Sequence, residues 1–420
     1  MTENIAALTL LQLLNYAAPL ITVPYLVRVL QPAQFGLLSF AQAIALYFSV
    51  LTDYGFDFSA TRAIAAQRHI PESVTRIFWS TIVAKAMLMS VSGVALIALV
   101  AVVPKLHETP EVYLASFLYV VGTAFFPIWF FQGTEEIRLA ALAFGTARLL
   151  TIPALLLFVR HPGDYVKAAA IQASVEVIAS AVAFPLIWRR LKVTWYRPSF
   201  SDIADAFRRG WPLFLSGSAL YLSTSSTTMI LGFVAGKAQV GYYSAAEKLI
   251  KASTAALTPV NQALYPHITA TKVQSSFLAL QLIRKSLALT GAISLAISVS
   301  LLFLARPVCD VVLGNSFTPS IALVRWLSPL PLLFGLMSVL GTQTMLIFEM
   351  DVAMSRIMLA SAALGAPLTL GLSWLFGASG AAVGSVAIAA LMVVAMIGVL
   401  RTRGLIVWRE SVPDSLTPVC

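Results

Sequence analysis

A ten-residue stretch that occurs twice is the strongest constraint on how this chain folds. The segment AQFGLLSFAQ, from Ala33 to Gln42, returns as AQVGYYSAAE, from Ala238 to Glu247, with five identities and no gap. The copies lie 205 residues apart in a chain of 420. Each copy stands between two apolar runs of helical length, so we predict a tight turn between two spans, in a chain that is two halves of one design. Two similar halves are the usual plan of a membrane transporter.

The composition places the chain in a membrane. Hydrophobic residues make up 59% of the chain and charged residues 11%, whereas a soluble domain carries roughly 25% charged residues. Spans of about 20 residues each take up almost the whole length, which leaves no room for a soluble domain. The chain starts with MTEN and enters an apolar run without a basic segment or a cleavage site, so we expect the first span to be retained.

Twelve apolar runs are long enough to span a bilayer and predict an all-α integral membrane protein with two pseudo-symmetric six-helix lobes. The predicted spans are 5–30, 36–60, 77–103, 112–133, 138–160, 165–188, 210–235, 240–268, 284–305, 321–348, 352–376 and 379–400. The predicted domains are an N-terminal lobe at 1–188, a cytoplasmic amphipathic linker at 189–209, a C-terminal lobe at 210–400 and a cytoplasmic tail at 401–420.

The basic residues predict the orientation of the spans. Connectors after the even-numbered spans, together with the tail, hold seventeen Lys and Arg residues, and the opposite connectors hold five. The positive-inside rule therefore predicts a multi-pass membrane protein with both termini in the cytoplasm. The formal charge of +10 follows from this placement and does not indicate nucleic-acid binding. Cys309 and Cys420 fall on opposite faces, so we predict free thiols and no metal site.

The predicted linker and several spans have unusual compositions. Aromatic and apolar residues interleave with the linker's six basic residues, which favours a helix lying against anionic headgroups, with a docking site for a partner enzyme as the alternative. The linker residues concerned are Trp195, Tyr196, Phe200, Ile203 and Phe207. Prolines inside spans predict breaks beside protein or a water-filled cavity. These are Pro19, Pro24, Pro259, Pro266, Pro329 and Pro331. A hydroxyl run from Ser223 to Thr228 either faces a cavity or packs between helices.

Ten charged residues lie inside predicted spans, where each costs at least ~2.5 kcal/mol at the bilayer centre and normally faces a cavity. They are Arg28, Lys85, Arg148, Lys248, Lys251, Arg325, Asp53, Asp57, Glu176 and Glu247. The excess of positive charge predicts a cavity that attracts anions, and a lipid phosphate or pyrophosphate suits spaced Arg and Lys side chains. The predicted substrate-binding residues are Arg28, Arg148, Lys248, Lys251 and Arg325.

Several of these charges have a structural alternative. Arg28 and Arg325 lie near the outer ends of their helices, where a long side chain can instead reach the headgroups. Arg148 and Glu176 fall near mid-span and could form an ion pair between adjacent helices. On the eighth span, an acid and a base at a spacing of four predict one neutralised pair, Glu247 with Lys251.

The carboxylates are the predicted coupling groups. Asp53 and Asp57 stand one turn apart, so their like charges repel unless one binds a proton or a cation lies near, and Arg62 could supply that cation structurally. No GxxxxGK[ST] loop for ATP occurs in the chain. We therefore predict that Asp53, Asp57 and Glu176 couple transport to a proton or sodium gradient, with passive flipping of the lipid as the alternative.

Four segments together resemble the polysaccharide-export family, which includes Wzx-type O-antigen flippases: VLQPAQFGLLSFAQ, DYGFDFSATRAIA, VGYYSAAEKL and NQALYPHIT. The resemblance implies the MOP transporter fold, with two six-helix lobes around a central cavity. It also implies translocation of undecaprenyl-pyrophosphate-linked oligosaccharides from the inner to the outer leaflet. The matching positions, mostly ones of shape, are Gly36, Asp53, Gly55, Arg62, Gly241, Tyr243 and Ala246. Lipid II flippases of the same superfamily usually carry more spans than the twelve found here.

Two other functional classes compete with a flippase. A cation-coupled drug antiporter of the same fold should line its cavity with acids, whereas this chain favours bases. A membrane enzyme of glycan assembly needs a sizeable outer loop with catalytic groups, and four scattered histidines do not supply them. We therefore expect a monomeric non-enzyme without a cofactor. Its expected partners are the membrane, the lipid-linked substrate and a polysaccharide polymerase or chain-length regulator.

Overall fold

The structure is a computed structural model that describes residues 2–191 and 193–405, without the side chains of residues 2–17 and of parts of 216–225 and 256–263. All regular secondary structure in this range is helical. The α-helices are α1 Thr2–Asp53, α2 Phe56–Gln67, α3 Pro71–Val102, α4 Pro104–His107, α5 Pro110–Phe125, α6 Ile128–Gly133, α7 Ile137–Phe158, α8 Tyr165–Arg190, α9 Phe200–Val234, α10 Lys237–Thr254, α11 Thr258–Gln274, α12 Ser276–Val312, α13 Pro319–Leu327, α14 Leu330–Met337 and α15 Asp351–Thr402.

Eight helical segments of the described residues are long and apolar enough to cross a membrane, which confirms an all-α multi-pass architecture. Two of them, Ala18–Gln67 and Asp351–Thr402, contain 50 and 52 residues. Each is long enough for two crossings of about 20 residues. Non-helical backbone at Gln31 and at Gly377 divides each of the corresponding helices, α1 and α15. The total of twelve crossings stays a prediction.

The breaks in the helices recur at matching positions in the two halves. A non-helical Tyr54–Gly55 turn separates α1 from α2, and the 3₁₀ turn Ala255–Leu257 separates α10 from α11. In the same way, Pro127 stands before α6 and Pro329 before α14, each at the N-cap. Of this second pair, the break at Pro329 was predicted from its proline, which removes a backbone donor, and the break at Pro127 was not. The prediction of breaks at Pro19, Pro24 and Pro266 is wrong, because these prolines lie within α1 and α11. Interrupted segments at corresponding positions of two repeats are typical of transporters.

Two further turns have the same backbone geometry. Glu135 follows α6 with φ 62°, and Glu349 follows the π-helix Ser338–Leu346 with φ 58°. In both turns the N–H of the next residue donates to the carbonyl five residues earlier, at 2.8 Å. This bond satisfies an end carbonyl of the preceding helix. The repeat therefore extends well beyond the ten-residue motif.

The repeated motif begins a helix instead of forming the turn. The turn lies just before it, at Gln31 in the first half and at Gly236 in the second. Gln239, the second residue of the second copy, accepts a hydrogen bond at 3.2 Å from the Ala378 N–H. Ala378 directly follows the Gly377 kink. The glutamine thus satisfies a backbone donor that the kink frees, and the prediction of a turn within the motif is wrong by a few residues.

The chain divides into two compact units, Met1–Tyr221 and Leu222–Cys420. The predicted linker packs with the first unit, because Val193 is buried in its core. Residues Phe200 to Arg209 form the first turns of α9, which continues without interruption to Val234. The predicted domain boundaries stay a prediction. Cys309 is a buried free thiol, whereas Cys420 and residues 406–419 of the tail lie outside the described residues.

Contacts within each unit sort the connectors into two sets. In the first unit, one set contains the contacts of Trp79 with Thr194 and of Arg68 with Glu135, and the other set contains the contact of Glu111 with Tyr165. In the second unit, Lys272 contacts Phe348 in one set, and Gln239 contacts Ala378 in the other. Each contact joins residues that the charge pattern assigns to the same face of the membrane. The alternation of connectors between two faces is therefore supported by contacts independent of charge.

Candidate functional site

A lysine and two aspartates form an ion cluster at the break between α1 and α2. Asp53 ends α1 and Asp57 lies in the first turn of α2. The Nζ atom of Lys85, on α3, lies 2.8 Å from an Oδ1 atom of each carboxylate. Only 2% of the lysine side chain is exposed, against 31% and 38% for the two aspartates. Lys85 donates a hydrogen bond to Asp57 and forms an ion pair with Asp53, although Asp53 Oδ1 accepts no hydrogen bond. With all three groups ionised, the cluster carries one net negative charge.

Lys85 takes the place that the sequence suggested for Arg62. Arg62 is exposed, and in the described part of the chain it makes no ion pair with either aspartate. The assignment to Arg62 is therefore wrong. Lys85 lies on a different helix, so no short spacing indicated the contact. The signal that the sequence offered was depth in the membrane. Lys85 lies in the first third of the predicted third span and the aspartates lie near the end of the second, so all three are near the same face of the membrane.

The turn beside this cluster packs tightly on α9. A Cβ atom added to Gly55, which has φ 75°, would lie 2.8 Å from the backbone nitrogen of Phe214. The Tyr54 ring stacks on the Phe214 ring at 4.8 Å between centroids and 15° between planes. Only glycine combines this left-handed conformation with so close a backbone approach. The ion cluster is thus held between α3 and the start of α9.

Arg148 on α7 and Glu176 on α8 are not joined. The Arg148 Nε atom and the Glu176 Oε2 atom are both buried without a hydrogen-bond partner, and no ion pair connects the two side chains. The two side chains nevertheless lie near enough to interact electrostatically. The structural bridge expected as one alternative is therefore not formed as a direct ion pair. Glu176 is closely packed, since a Cβ atom added to Gly122 of α5 would lie 2.5 Å from the Cβ atom of Glu176. A buried charged group without a partner is costly, so both atoms are available to a ligand.

One polar pair of this unit was missed by the sequence reasoning. The Gln42 amide, in the repeated motif, donates to the Gln172 side chain of α8. Gln172 stands one turn before Glu176 on the same face of α8. Glutamine carries no charge, so a search for charged residues in spans passes over it, although an amide inside an apolar run is itself a signal of a buried polar contact.

The second unit forms the predicted ion pair of α10. Lys251 Nζ lies 2.9 Å from Glu247 Oε1, which confirms the pairing expected from the spacing of four. The other carboxylate oxygen accepts a hydrogen bond from Thr228 of α9 at 3.0 Å. Thr227 bonds at 3.1 Å to Ser385 of α15. These two threonines of the hydroxyl run therefore pack between helices, while the side chains of Ser223, Thr224 and Ser225 lie outside the described residues.

A second polar network in this unit surrounds the π-helix. Gln343, 1% exposed, donates to Asn261 of α11 at 3.0 Å and accepts from Ser286 of α12. A π-helix is rare and often occurs at functional sites. The break before α14 is also compensated from α12, because the Ser298 hydroxyl accepts from the Leu332 N–H at 3.0 Å. The sequence reasoning noted the prolines of this span and not its glutamine.

The five predicted substrate-binding residues are divided between the units. Arg28 and Arg148 belong to the first, where Arg28 is exposed and Arg148 partly buried. Lys248, Lys251 and Arg325 belong to the second. Lys248 is partly buried beside Glu247 on α10, and Arg325 is exposed in the last turn of α13.

Comparison with known proteins decides the family. Residues 1–272 match the family described as "Polysaccharide biosynthesis protein". The chain belongs to this polysaccharide biosynthesis protein family. It is 32% identical over 405 residues to a proposed O-antigen transporter of Escherichia coli (strain K12), covering 96% of this chain and 98% of that one. It is 27% identical over 382 residues to a protein of the same description from Shigella dysenteriae, covering 90% and 95% of the two chains.

Solved structures of MOP-superfamily transporters share the fold of this polysaccharide biosynthesis protein. The lipid II flippase MurJ in an inward closed conformation has a TM-score of 0.72 at 12% identity, covering 96% of this chain and 88% of that one. An inward-facing multidrug resistance MATE family transporter has a TM-score of 0.65 at 17% identity, covering 97% and 100%. At these identities the likeness shows the fold alone. The resemblance read from the residues is confirmed at the level of family and fold.

The charged groups of this protein differ in whether they already have partners within the described structure. Lys85 and Lys251 are already paired with carboxylates. Arg148 presents a buried guanidinium nitrogen that no described residue bonds. An arginine in that state can fork onto the oxygens of a phosphate, for which it is better shaped than lysine. The first unit therefore offers one cationic and one anionic group, Arg148 and Glu176, that a bound species could satisfy.

Proposed function

We propose that this protein is a flippase that moves undecaprenyl-pyrophosphate-linked oligosaccharides across the bacterial cytoplasmic membrane by alternating access. The relatives described as O-antigen transporters and the MOP fold support this class of substrate. The observation that carries the proposal is the buried Nε atom of Arg148, which lacks a partner inside a span. A pyrophosphate supplies the negative charge that such a side chain requires, and a drug cation does not.

Arg148 is proposed as the main phosphate contact, and Arg28, Lys248, Lys251 and Arg325 as additional ones. Lys251 contributes less free charge, because it already faces Glu247 at 2.9 Å. Both termini are proposed to be cytoplasmic, since the connectors rich in arginine then face the cytoplasm. The protein acts as a transporter and not as an enzyme, and it delivers its substrate to a polysaccharide polymerase outside.

The test is substitution of Arg148 in cells that depend on this protein for glycan export. Arg148→Ala should lower export at least tenfold at normal protein level, because a hydrogen bond to a charged group contributes about 1.5–3 kcal/mol. Arg148→Lys should recover part of the activity, since the charge remains and the fork is lost. Arg160→Ala, an exposed arginine just after α7, serves as the matched control. Normal export by Arg148→Ala would contradict the proposal.

Energy coupling is proposed to use a carboxylate. Oδ1 of Asp53 and Oε2 of Glu176 are both buried without a hydrogen bond. Asp53 and Asp57, however, form ion pairs with Lys85, and Glu176 forms no ion pair in the described part of the chain. Glu176 is therefore the first candidate for uptake of a proton or sodium ion, and the aspartates are secondary. In this scheme cation binding favours the return of the empty outward-facing state.

Sealed vesicles that contain the protein and a labelled lipid-linked glycan test the coupling. A gradient of one pH unit supplies about 1.4 kcal/mol per proton, which can shift the distribution of substrate about tenfold. Glu176→Gln should abolish the response to a pH or sodium gradient, and Glu111→Gln, at an exposed position in the first turn of α5, should retain it. If the unmodified protein ignores both gradients, translocation is passive and Glu176 is structural.

A further inference from the structure

The connector between α8 and α9 is fixed to the N-terminal part of α3 by specific contacts. The Trp79 indole donates to the Thr194 carbonyl at 2.8 Å, and the Trp79 and Trp195 rings lie 4.4 Å apart. Val193 is buried in the core of the first unit. A segment of irregular backbone is thereby held in one shape, because both its main chain and its side chains contact a helix.

A carboxylate completes this fixed segment. Asp202 accepts from the Ser199 hydroxyl at 2.6 Å, from the Ser199 N–H at 2.9 Å and from the Tyr196 hydroxyl at 2.9 Å. The hydrogen bonds from Ser199, together with that from Tyr196, hold the pKa of the Asp202 carboxyl below its ordinary value. Asp202 is therefore ionised at neutral pH, and its Oδ2 atom holds Tyr196 and Ser199 of the connector.

The outer surface of the connector combines bare aromatic rings with arginines. Trp195 is 76% exposed and Phe200 is 85% exposed. Arg197 lies between them in sequence and is exposed. Arg76, exposed at the start of α3, lies near enough to Tyr196 and Asp202 to interact with both electrostatically. An arginine of α3 and an arginine of the connector thus lie near the same short segment, in which Trp195 packs against Trp79 and leaves most of its surface exposed.

The same face continues along the neighbouring helix ends. Arg189 and Arg190 end α8, and Arg208 and Arg209 follow in α9, all four exposed. The exposed acids near these basic residues include Asp205 of α9 and Glu72, one turn before Arg76 on α3. A strongly positive surface with protruding aromatic rings at the ends of membrane spans matches the chemistry of an anionic lipid interface. The rings enter the boundary of the acyl chains and the guanidinium groups bind phosphates.

We propose that Arg76, Trp195 and Arg197 form a binding site for the headgroup of an anionic phospholipid such as phosphatidylglycerol. The lipid phosphate lies between the two guanidinium groups, and the glycerol and upper acyl chain lie against the exposed face of Trp195. This site anchors the connector between the two halves to the inner leaflet. It is independent of the transported glycan and rests only on the orientation proposed above.

The site is tested by titrating the full-length protein in neutral detergent with short-chain phosphatidylglycerol, short-chain phosphatidylcholine or inorganic phosphate. Phosphatidylglycerol should bind best, and 0.5 M salt should weaken its binding because it screens the phosphate. The double variant Arg76→Gln with Arg197→Gln should bind phosphatidylglycerol about 25-fold more weakly, because each arginine near an anionic surface contributes about fivefold in affinity. Arg160→Gln should bind as the unmodified protein does.

Three results would overturn this proposal. They are equal binding of both lipids, full competition by inorganic phosphate, and unchanged lipid binding by the double variant. If the double variant binds lipid normally but loses export in cells, the surface serves a partner protein instead. The melting temperature of the double variant without anionic lipid should equal that of the unmodified protein, which separates lost binding from misfolding. Arg148→Ala should bind phosphatidylglycerol normally, so failure of this site and failure of the proposed transport function are distinguishable.

Discussion

Lys85→Met is expected to destabilise the protein by about 3–5 kcal/mol, because it removes one partner of a buried ion cluster and leaves the other charges behind. The lysine is 2% exposed and lies 2.8 Å from both Asp53 and Asp57. Methionine preserves much of the side chain's bulk, so the change tests charge more than volume. A thermal melt of detergent-solubilised protein, followed by size-exclusion chromatography, measures the loss.

The same experiment includes a rescue and a control. Lys85→Met combined with Asp53→Asn and Asp57→Asn should recover most of the lost stability, since the uncompensated anions are removed together with the cation. Arg62→Gln should stay within about 0.5 kcal/mol of the unmodified protein, as expected for an exposed side chain. A stable Lys85→Met protein, or an Arg62→Gln protein that melts as early as Lys85→Met, would show that the cluster is not organised around the lysine.

Gly380→Ala should be comparably damaging in the second unit, at more than about 3 kcal/mol. The kink at Gly377 folds α15 so that a Cβ atom on Gly380 would lie 1.9 Å from the Leu372 carbonyl oxygen. That neighbour is backbone, so no side-chain rotation relieves the clash, and the kink itself must change. Yield of monodisperse protein and its melting temperature give the readout.

Gly398, on the same helix, provides the matched control. A Cβ atom there meets nothing within 4 Å, and alanine is the better helix former by about 1 kcal/mol. Gly398→Ala should therefore be neutral or slightly stabilising. Equal melting temperatures for Gly380→Ala and Gly398→Ala would mean that the approach of Leu372 to Gly380 is not present in the folded protein.

Local patterns in the sequence predicted local contacts well. The Glu247–Lys251 pair follows from helical periodicity alone, since residues four apart share a face. The break before α14 coincides with Pro329, because proline lacks the backbone N–H that a continuous helix needs. The Tyr54–Gly55 break carries a weaker signal, since a glycine can also sit inside a helix.

Contacts between helices were the part that sequence could not supply. Arg148 and Glu176 lie at matching depths on adjacent helices, yet they do not pair, because depth does not determine how each helix is rotated about its axis. Lys85 was recognised as a charge in a span, but its partners lie about thirty residues away. Gln343 and Gln172 were passed over because they are neutral, although buried amides form specific interhelical bonds.

The two halves share their helix breaks but not the charged residues beside them. At the repeat spacing of 205 residues, the positions of Asp53, Asp57 and Lys85 are occupied in the second half by Thr258, Gln262 and Thr290. The backbone interruptions are shared, while the ion cluster belongs to one copy. The two halves therefore share a framework of broken helices, and each half places different chemical groups on that framework.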